Sequence, residues 1–521
     1  MNTLKKLRSI CVACFTLVFV AASITGCDQN NQNDPTPSSS SASSQASVDL
    51  DPDNTIVWQV YDDSYAAIWQ TQINALLKEK GASYTVKIEA YQSMFGESKE
   101  ETASELLAEL KQAGKQADVL SLPATSRYWV PIEGTDEFTY AYQSPYTEAI
   151  AAGLLDPLDG YLDSAQGKQI VEAVHPVDLK RAAVDGKVYG ISQHLRQVSA
   201  VYYNKEYLEK YNIDPTSLSA DLFKNEEVLR QVWEGEGKQL PVYVHDESAP
   251  TTLGMWSVSP CQPLGYDADT GEFVSLFDTE RCYEFYKKLY ALKDKGLAQH
   301  RADGFDDFFA VGGTAHTDEV YETTYTFVDT NKNEVQKEVV AVPNLQIPTV
   351  NPNWGDSANG IASWSENKED ALDFLTRLYT DPDLANLVQY GVEGDTYQLE
   401  DGKARYTDQK LSIFGENFTN PLITYPQDST GQGKRDFLDR YYAACESNLP
   451  DGFRFDIQPV LDQVDALNKV YESEAVVSLI FLQSEDFDGA FQSIRSLLTQ
   501  AGMEEVKQEA QRQLEVWGHE G

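Results

Sequence analysis

The stretch Thr55-Ile56-Val57-Trp58-Gln59-Val60-Tyr61 is an apolar run of strand length, rich in β-branched and aromatic residues, and together with its C-terminal neighbours it decides the architecture. Asp62-Asp63-Ser64 breaks the run, after which Ile68, Ile73, Leu76 and Leu77 recur at helical spacing until Gly81 stops them. Tyr84-Thr85-Val86-Lys87-Ile88-Glu89-Ala90 alternates as a second strand, residues 102–113 read as a second helix, and Asp118-Val119-Leu120-Ser121-Leu122 is a short third strand. Strand, helix, strand, helix, strand predicts a parallel α/β sheet. Ligands of such sheets sit beyond the carboxyl ends of the strands. The loops 62–65 and 123–131 are therefore expected to face a cleft, with Thr125-Ser126-Arg127-Tyr128-Trp129 at its rim.

The chain has 521 residues, 41% of them apolar, which is enough for several domains with cores of their own. Its 41 Lys plus Arg stand against 82 Asp plus Glu, a formal charge of -41 that argues against a nucleic-acid partner, because phosphates repel so acidic a surface. At the N-terminus Lys5, Lys6 and Arg8 precede an apolar run over 10–22 and then Ile24-Thr25-Gly26-Cys27, the order of a secretory signal. The run falls short of the roughly 20 residues a membrane span needs. Ile-Thr-Gly-Cys resembles the lipobox of bacterial lipoproteins. That resemblance implies a lipoprotein signal peptide over 1–26 and a diacylated Cys27, which anchors the chain on the extracytoplasmic face of a cell membrane through two acyl chains. Residues 27–53, rich in Ser, Asn and Asp, contain almost nothing to bury and read as a flexible tether. Loss of the signal takes the net charge from -41 to -44, since it carries three basic residues and no acidic one. Of the cysteines, Cys11 and Cys14 leave with the signal. Cys261, Cys282 and Cys445 show no metal-ligand spacing, and a Cys261–Cys282 disulfide and buried free thiols both stay open.

Further along, Gly186-Lys187-Val188-Tyr189-Gly190-Ile191 leads through Ser192-Gln193-His194-Leu195-Arg196-Gln197 to Ala200-Val201-Tyr202-Tyr203-Asn204-Lys205 and a helix over 206–211. This resembles the signature of extracellular solute-binding proteins of the carbohydrate-uptake class, with Ser192 where that family has Pro. Gly153-Leu154-Leu155-Asp156-Pro157-Leu158, the segment from Gly360-Ile361-Ala362 to Asn367-Lys368-Glu369-Asp370-Ala371, and Tyr379-Thr380-Asp381-Pro382-Asp383 agree with it in order. The ending, Ala501-Gly502-Met503-Glu504-Glu505-Val506 to Gln513-Leu514-Glu515-Val516-Trp517, is similar to that of lipoprotein oligosaccharide-binding members of carbohydrate ABC transporters.

The resemblance implies a type II periplasmic-binding-protein fold: α/β, two-lobed and hinge-linked, with mixed sheets flanked by helices. On that reading the first lobe occupies 54–195, the second 196–302, the chain returns to the first over 303–362, and 363–521 is a helical part of the second. The hinge crossings are expected near 193–199, 300–310 and 358–366. The implied function is capture of a sugar or oligosaccharide by hinge closure and its delivery to the transmembrane permease subunits of an ABC importer, by a monomer without a cofactor.

A sugar offers hydroxyls at its rim and C–H groups on its faces, so its site needs flat aromatic rings and planar hydrogen-bonding groups. The composition suits this, with 29 Tyr and eight Trp against four Met. By position the ligand-binding candidates are Asp62 and Tyr65 after the first strand, Arg127 and Trp129 after the third, and His194, Arg196 and Gln197 at the first crossing. Trp256, Trp354, Asp356 and Tyr425 complete the set. Each has a plainer alternative in core packing or, for the arginines, in ion pairs with the abundant carboxylates. Trp58, alternating inside a strand, reads as core. No H-E-x-x-H pair, G-x-S-x-G elbow or phosphate loop is present, so binding without catalysis is expected and no metal site is assigned. A secreted carbohydrate hydrolase is the alternative, separable by product formation, and a structural surface protein the third class. Residues 329–333 carry part of a calcium-loop pattern, but Glu334 stands where that loop needs Gly, and a polar turn is the better reading.

Overall fold

Strand β1 (Thr55–Val60) is apolar on both faces because it lies inside a sheet covered on both sides, with Ile56, Trp58 and Val60 fully buried. Helix α1 (Ser64–Glu79) buries Trp69, Ile73 and Leu77 against it, the spacing that marked the helix in the sequence. Strand β2 (Thr85–Ala90) pairs parallel with β1 along its whole length. Helix α2 (Ala103–Gln112) begins at a capping box in which the Thr102 hydroxyl accepts from the Glu105 backbone N–H and Glu105 accepts from the Thr102 N–H. Strand β3 (Val119–Pro123) pairs parallel with β1 on its other side. The computed structural model describes residues 50, 54–61, 64–91, 102–124, 126–131, 138–192, 197–245, 256–258, 261–267, 269–301, 304–349, 357–407, 418–427, 433–445, 453 and 455–520.

Residues 123–131, expected as a loop, instead contribute strand β4 (Ser126–Pro131), which forms an antiparallel hairpin with β5 (Phe138–Gln143) at the carboxyl end of β3. In register, Trp129 of β4 stands opposite Tyr140 of β5, the kind of aromatic cross-strand pair that stabilises a hairpin. Short helices follow, ending in α3 (Pro176–Arg181).

The second sheet begins with β6 (Gln197–Asn204) and includes β7 (Tyr243–His245). Strands β8 (Trp256–Val258), β9 (Cys261–Asp267) and β10 (Glu272–Ser275) make a separate antiparallel sheet. Strands β11 (Gln299–His300), β12 (Ala310–Ala315), β13 (Tyr321–Val328) and β14 (Glu334–Thr349) return to the second sheet, whose order is β11-β7-β12-β6-β14-β13. The β13–β14 hairpin turns at residues 329–333, where the Asp329 carboxylate accepts from the backbone N–H groups of Asn331 and Asn333, both at 2.8 Å. Only with β15 (Ser357–Ile361) does the chain rejoin the first sheet, antiparallel to β3, giving the order β15-β3-β1-β2.

This corrects the expected division. Within the expected return over 303–362, residues 310–349 do not join the first lobe, because β6 takes β12 on one edge and β14 on the other and so draws both into the second sheet. Helices α4 (Lys368–Thr380) and α5 (Pro382–Tyr390) are not part of the second lobe either. They bury Ala371, Phe374, Leu375, Leu384 and Val388 in the core that holds β1 and β3. The second core is completed by α6 (Lys434–Cys445), through Phe437, Leu438 and Tyr441, and by the C-terminal helices, through Leu467, Ile480, Phe491 and Val506. The molecule is a two-lobed α/β protein with mixed sheets flanked by helices.

Candidate functional site

In the first lobe β1, β2 and β3 run parallel, so their carboxyl ends, Val60, Ala90 and Pro123, share one edge. In the second lobe β7, β11, β12 and β14 likewise end at one edge, where β6 begins. Three connections join the lobes. The first lies between Ser192 and Gln197, the second between Thr349 and Ser357, and the third between Gln427 and Lys434. Five Cα steps from Ser192 to Gln197 span at most roughly 18 Å, so the two edges lie close to one another. Both edges thus border the same space, the place where a two-lobed α/β protein holds its ligand.

The first-lobe edge rests on a buried polar and aromatic floor. Trp58 stacks on Trp69 with ring centroids 5.7 Å apart, and Phe418 packs against both and against Tyr61. The Trp58 indole N–H donates to Ser121 Oγ at 2.7 Å, and the Tyr91 hydroxyl donates to the Ser121 carbonyl at 2.8 Å. Burial pushes the Tyr91 phenol well above its ordinary range, so it acts as a neutral donor.

At the second-lobe edge His245 and His300 end neighbouring parallel strands in register, with ring centroids 6.0 Å apart. His300 stacks on Phe481 at 3.9 Å, while Tyr243, Phe285 and Tyr286 surround His245. Both nitrogens of the His245 ring are buried without a hydrogen-bond partner among the described residues. Burial, helped by His300, holds its pKa down to about 3. Direct contact between the lobes runs through His175, which precedes α3. Its ring stacks on Tyr442 of α6 at 4.4 Å and its Nε2 lies 3.1 Å from Asp439, while the Tyr442 hydroxyl donates to Asp178 at 3.1 Å. Burial lowers the His175 pKa and Arg435 lowers it further, against the pull of Asp178 and Asp439.

Of the residues proposed from sequence, Asp62, His194, Arg196, Trp354 and Asp356 lie outside the described residues, as does Cys27. Tyr65 stands in the first turn of α1, just beyond the carboxyl end of β1. Arg127 and Trp129 occupy β4, in register with Tyr142 and Tyr140 of β5. Gln197 opens β6 opposite Thr349, between the first and second connections. These backbone positions gather at the two facing edges. Trp256 opens β8, opposite Tyr266 in the separate three-stranded sheet. Tyr425 is a packing residue of the turn before the third connection. Its N–H donates to Asn386, its carbonyl accepts from Tyr390 and Lys434, and its ring joins a cluster with Tyr397 and Tyr390.

Sequence reasoning passed over Phe418, Asn359 and His245. Phe418 belongs to no periodic segment. Asn359 directly precedes the Gly360-Ile361-Ala362 motif, and His245 closes the apolar run Val242-Tyr243-Val244, so each was within reach of a signal already in view.

Residues 450–519 match a family described as a domain of unknown function, DUF3502. A carbohydrate ABC transporter substrate-binding protein of Streptococcus pneumoniae serotype 4 is 24% identical over 366 residues, covering 67% of this chain and 73% of its own. In fold, the N-glycan transport solute-binding protein NgtS of Streptococcus pneumoniae superimposes with a TM-score of 0.57 at 18% identity, over 89% of this chain and 98% of that one. An HMO-binding, ABC-transporter-associated solute-binding protein of Bifidobacterium longum infantis gives 0.54 at 14% identity, over 89% and 99%. The chain thus has the two-lobed fold of solute-binding proteins, and in sequence it is similar to those of carbohydrate ABC transporters.

Proposed function

We propose that this protein is the membrane-anchored substrate-binding component of an ABC importer that captures a sugar or oligosaccharide between its lobes and hands it to the permease. The observation that carries the reading is the pair of facing strand edges joined by three connections, together with the sequence likeness to a carbohydrate transporter's binding protein. A ligand in the space between the edges touches both lobes only when they close on it. Its binding energy therefore shifts the population toward the closed form, and that form is the one a permease would recognise. No helix among the described residues is long and apolar enough to cross a membrane. In this reading a lipid on Cys27 supplies the anchor, the protein stands on the extracytoplasmic face as a monomer, and binding involves no catalysis.

Asp62, Tyr65, Arg127, Trp129, Arg196, Gln197, Trp354 and Asp356 are proposed to line the site. Trp256, in register with Tyr266, is a further candidate, whereas Tyr425 stands in a position that packing already explains. A thermal-shift screen of oligosaccharides against the soluble protein identifies a solute. Trp129→Ala then weakens binding of that solute in titration calorimetry while the melting temperature holds. An unchanged Kd would remove Trp129 from the site, and a screen in which no saccharide raises the melting temperature would remove the sugar.

A further inference from the structure

We propose that Asn359 is the positioning residue of the inter-lobe joint: from inside the first lobe it holds the root of the first connection, the strand that receives the second and the segment that leads to the third. It lies on β15, two residues after the second connection arrives at Ser357. Its backbone exchanges two hydrogen bonds with Ile191 at the root of the first connection, Ile191 N–H to Asn359 O at 2.9 Å and Asn359 N–H to Ile191 O at 3.0 Å. Its side-chain amide donates to the Phe418 carbonyl at 2.9 Å, in the segment 418–427 that leads to the third. The same amide donates to the Tyr379 hydroxyl at 2.8 Å, and that hydroxyl in turn donates to the Ile191 carbonyl at 2.6 Å. The remaining side-chain oxygen accepts from Ser121 on β3.

Asn359 is completely buried, and both hydrogens of its amide and its oxygen are in use. No other side-chain type fits the same partners. Aspartate would bring a buried charge and lose both donors. An aliphatic residue would leave the Phe418 carbonyl and the Ser121 hydroxyl with one partner fewer in a dry interior. The backbones around it are in close contact. A Cβ on Gly360 would stand 2.4 Å from the Tyr189 carbonyl oxygen, and one on Gly190 would stand 2.9 Å from the Ala358 Cβ. The root of the first connection and the strand that receives the second are therefore fitted to each other without slack, and Asn359 ties the segment that leads to the third to that pair.

A joint of this kind sets the resting orientation of the lobes, and so the distance over which a ligand must draw them. The inference rests on the closure proposed above, but it is read in the free protein, so a failed sugar screen leaves it standing. The test places donor and acceptor dyes at exposed Glu109 and Lys288, one in each lobe, through E109C and K288C, and records single-molecule energy transfer without ligand. Asn359→Ala and Tyr379→Phe shift and widen the inter-lobe transfer distribution. Ser121→Ala cuts the bonds of Ser121 to Asn359 and Trp58, neither of which reaches a connection, and it leaves the distribution at the parent's position despite a lower melting temperature. Parent-like distributions in both Asn359→Ala and Tyr379→Phe overturn the inference, as does an equal shift in Ser121→Ala. Should Asn359→Ala not fold, Tyr379→Phe decides, since it removes a single hydroxyl and keeps the ring.

Discussion

His245 makes the second lobe sensitive to acid, and the size of the effect follows from its surroundings. The imidazole is buried among Tyr243, Phe285, Tyr286 and His300 with neither nitrogen hydrogen-bonded, and its pKa is held at about 3 against an ordinary 6.5. Between these two values the unfolded chain binds the proton and the folded chain does not, so stability rises with pH across that window and falls as the solution is acidified. Each pH step of one removes about 1.4 kcal/mol. Lowering the pH from 7 to 4.5 therefore costs about 3 kcal/mol through this residue alone. His245→Phe keeps an aromatic ring in an aromatic pocket and deletes the titration. In urea unfolding followed by circular dichroism, the variant should match the parent within about 1 kcal/mol at pH 7. At pH 4.5 it should exceed the parent by about 3 kcal/mol. Carboxylates titrate equally in both proteins and cancel in the difference. If the two stability curves stay parallel from pH 7 to 4.5, His245 is not held neutral by burial and the reasoning fails.

Cys261 and Cys282 are free and buried, and burial pushes the Cys261 thiol up to about 12 and Cys282 higher still, so in the native protein a thiol reagent should find neither at neutral pH. Rapid labelling of either without denaturant would contradict that environment. Lys434 is buried and donates to the carbonyls of Pro421, Thr424 and Tyr425 and to the Thr424 hydroxyl, so Lys434→Met should cost about 3 kcal/mol by leaving those oxygens short of a donor. A loss below about 1 kcal/mol in chemical denaturation would mean water replaces the ammonium there.

The first sheet was legible because its signals are local. Apolar strands alternate with amphipathic helices from Thr55 to Leu122, and right-handed parallel connection leaves little choice in how they assemble. The partition of the chain between lobes was not, because it depends on pairings distant in sequence. Nothing in Ala310–Ala315 or in the long strand Glu334–Thr349 says which sheet they join until β6 is seen between them. The turn at 329–333 was readable, since Asp and Asn at that spacing satisfy their own backbone. At the site, positions after strand ends could be named from order alone. Tyr425 shows the limit of order alone: an aromatic residue beside polar neighbours packs or binds according to partners far along the chain, such as Tyr390 and Tyr397. Asn359 was unreadable for the same reason, its role being carried by Ile191, Phe418, Tyr379 and Ser121.

The threefold passage of the chain between lobes has a consequence for the order of events during synthesis. The first sheet lacks its β3 neighbour until β15 has been made, and its core lacks Phe374, Leu378 and Val388 until later still. The second core waits for Phe491, Leu498 and Val506, close to the end of the polypeptide. An N-terminal half emerging alone therefore cannot collapse into a finished unit, and folding is deferred until almost the whole chain is available. On the export proposed above, in which the chain is threaded through a membrane as an extended polypeptide, interleaving the lobes would delay folding until that passage is over.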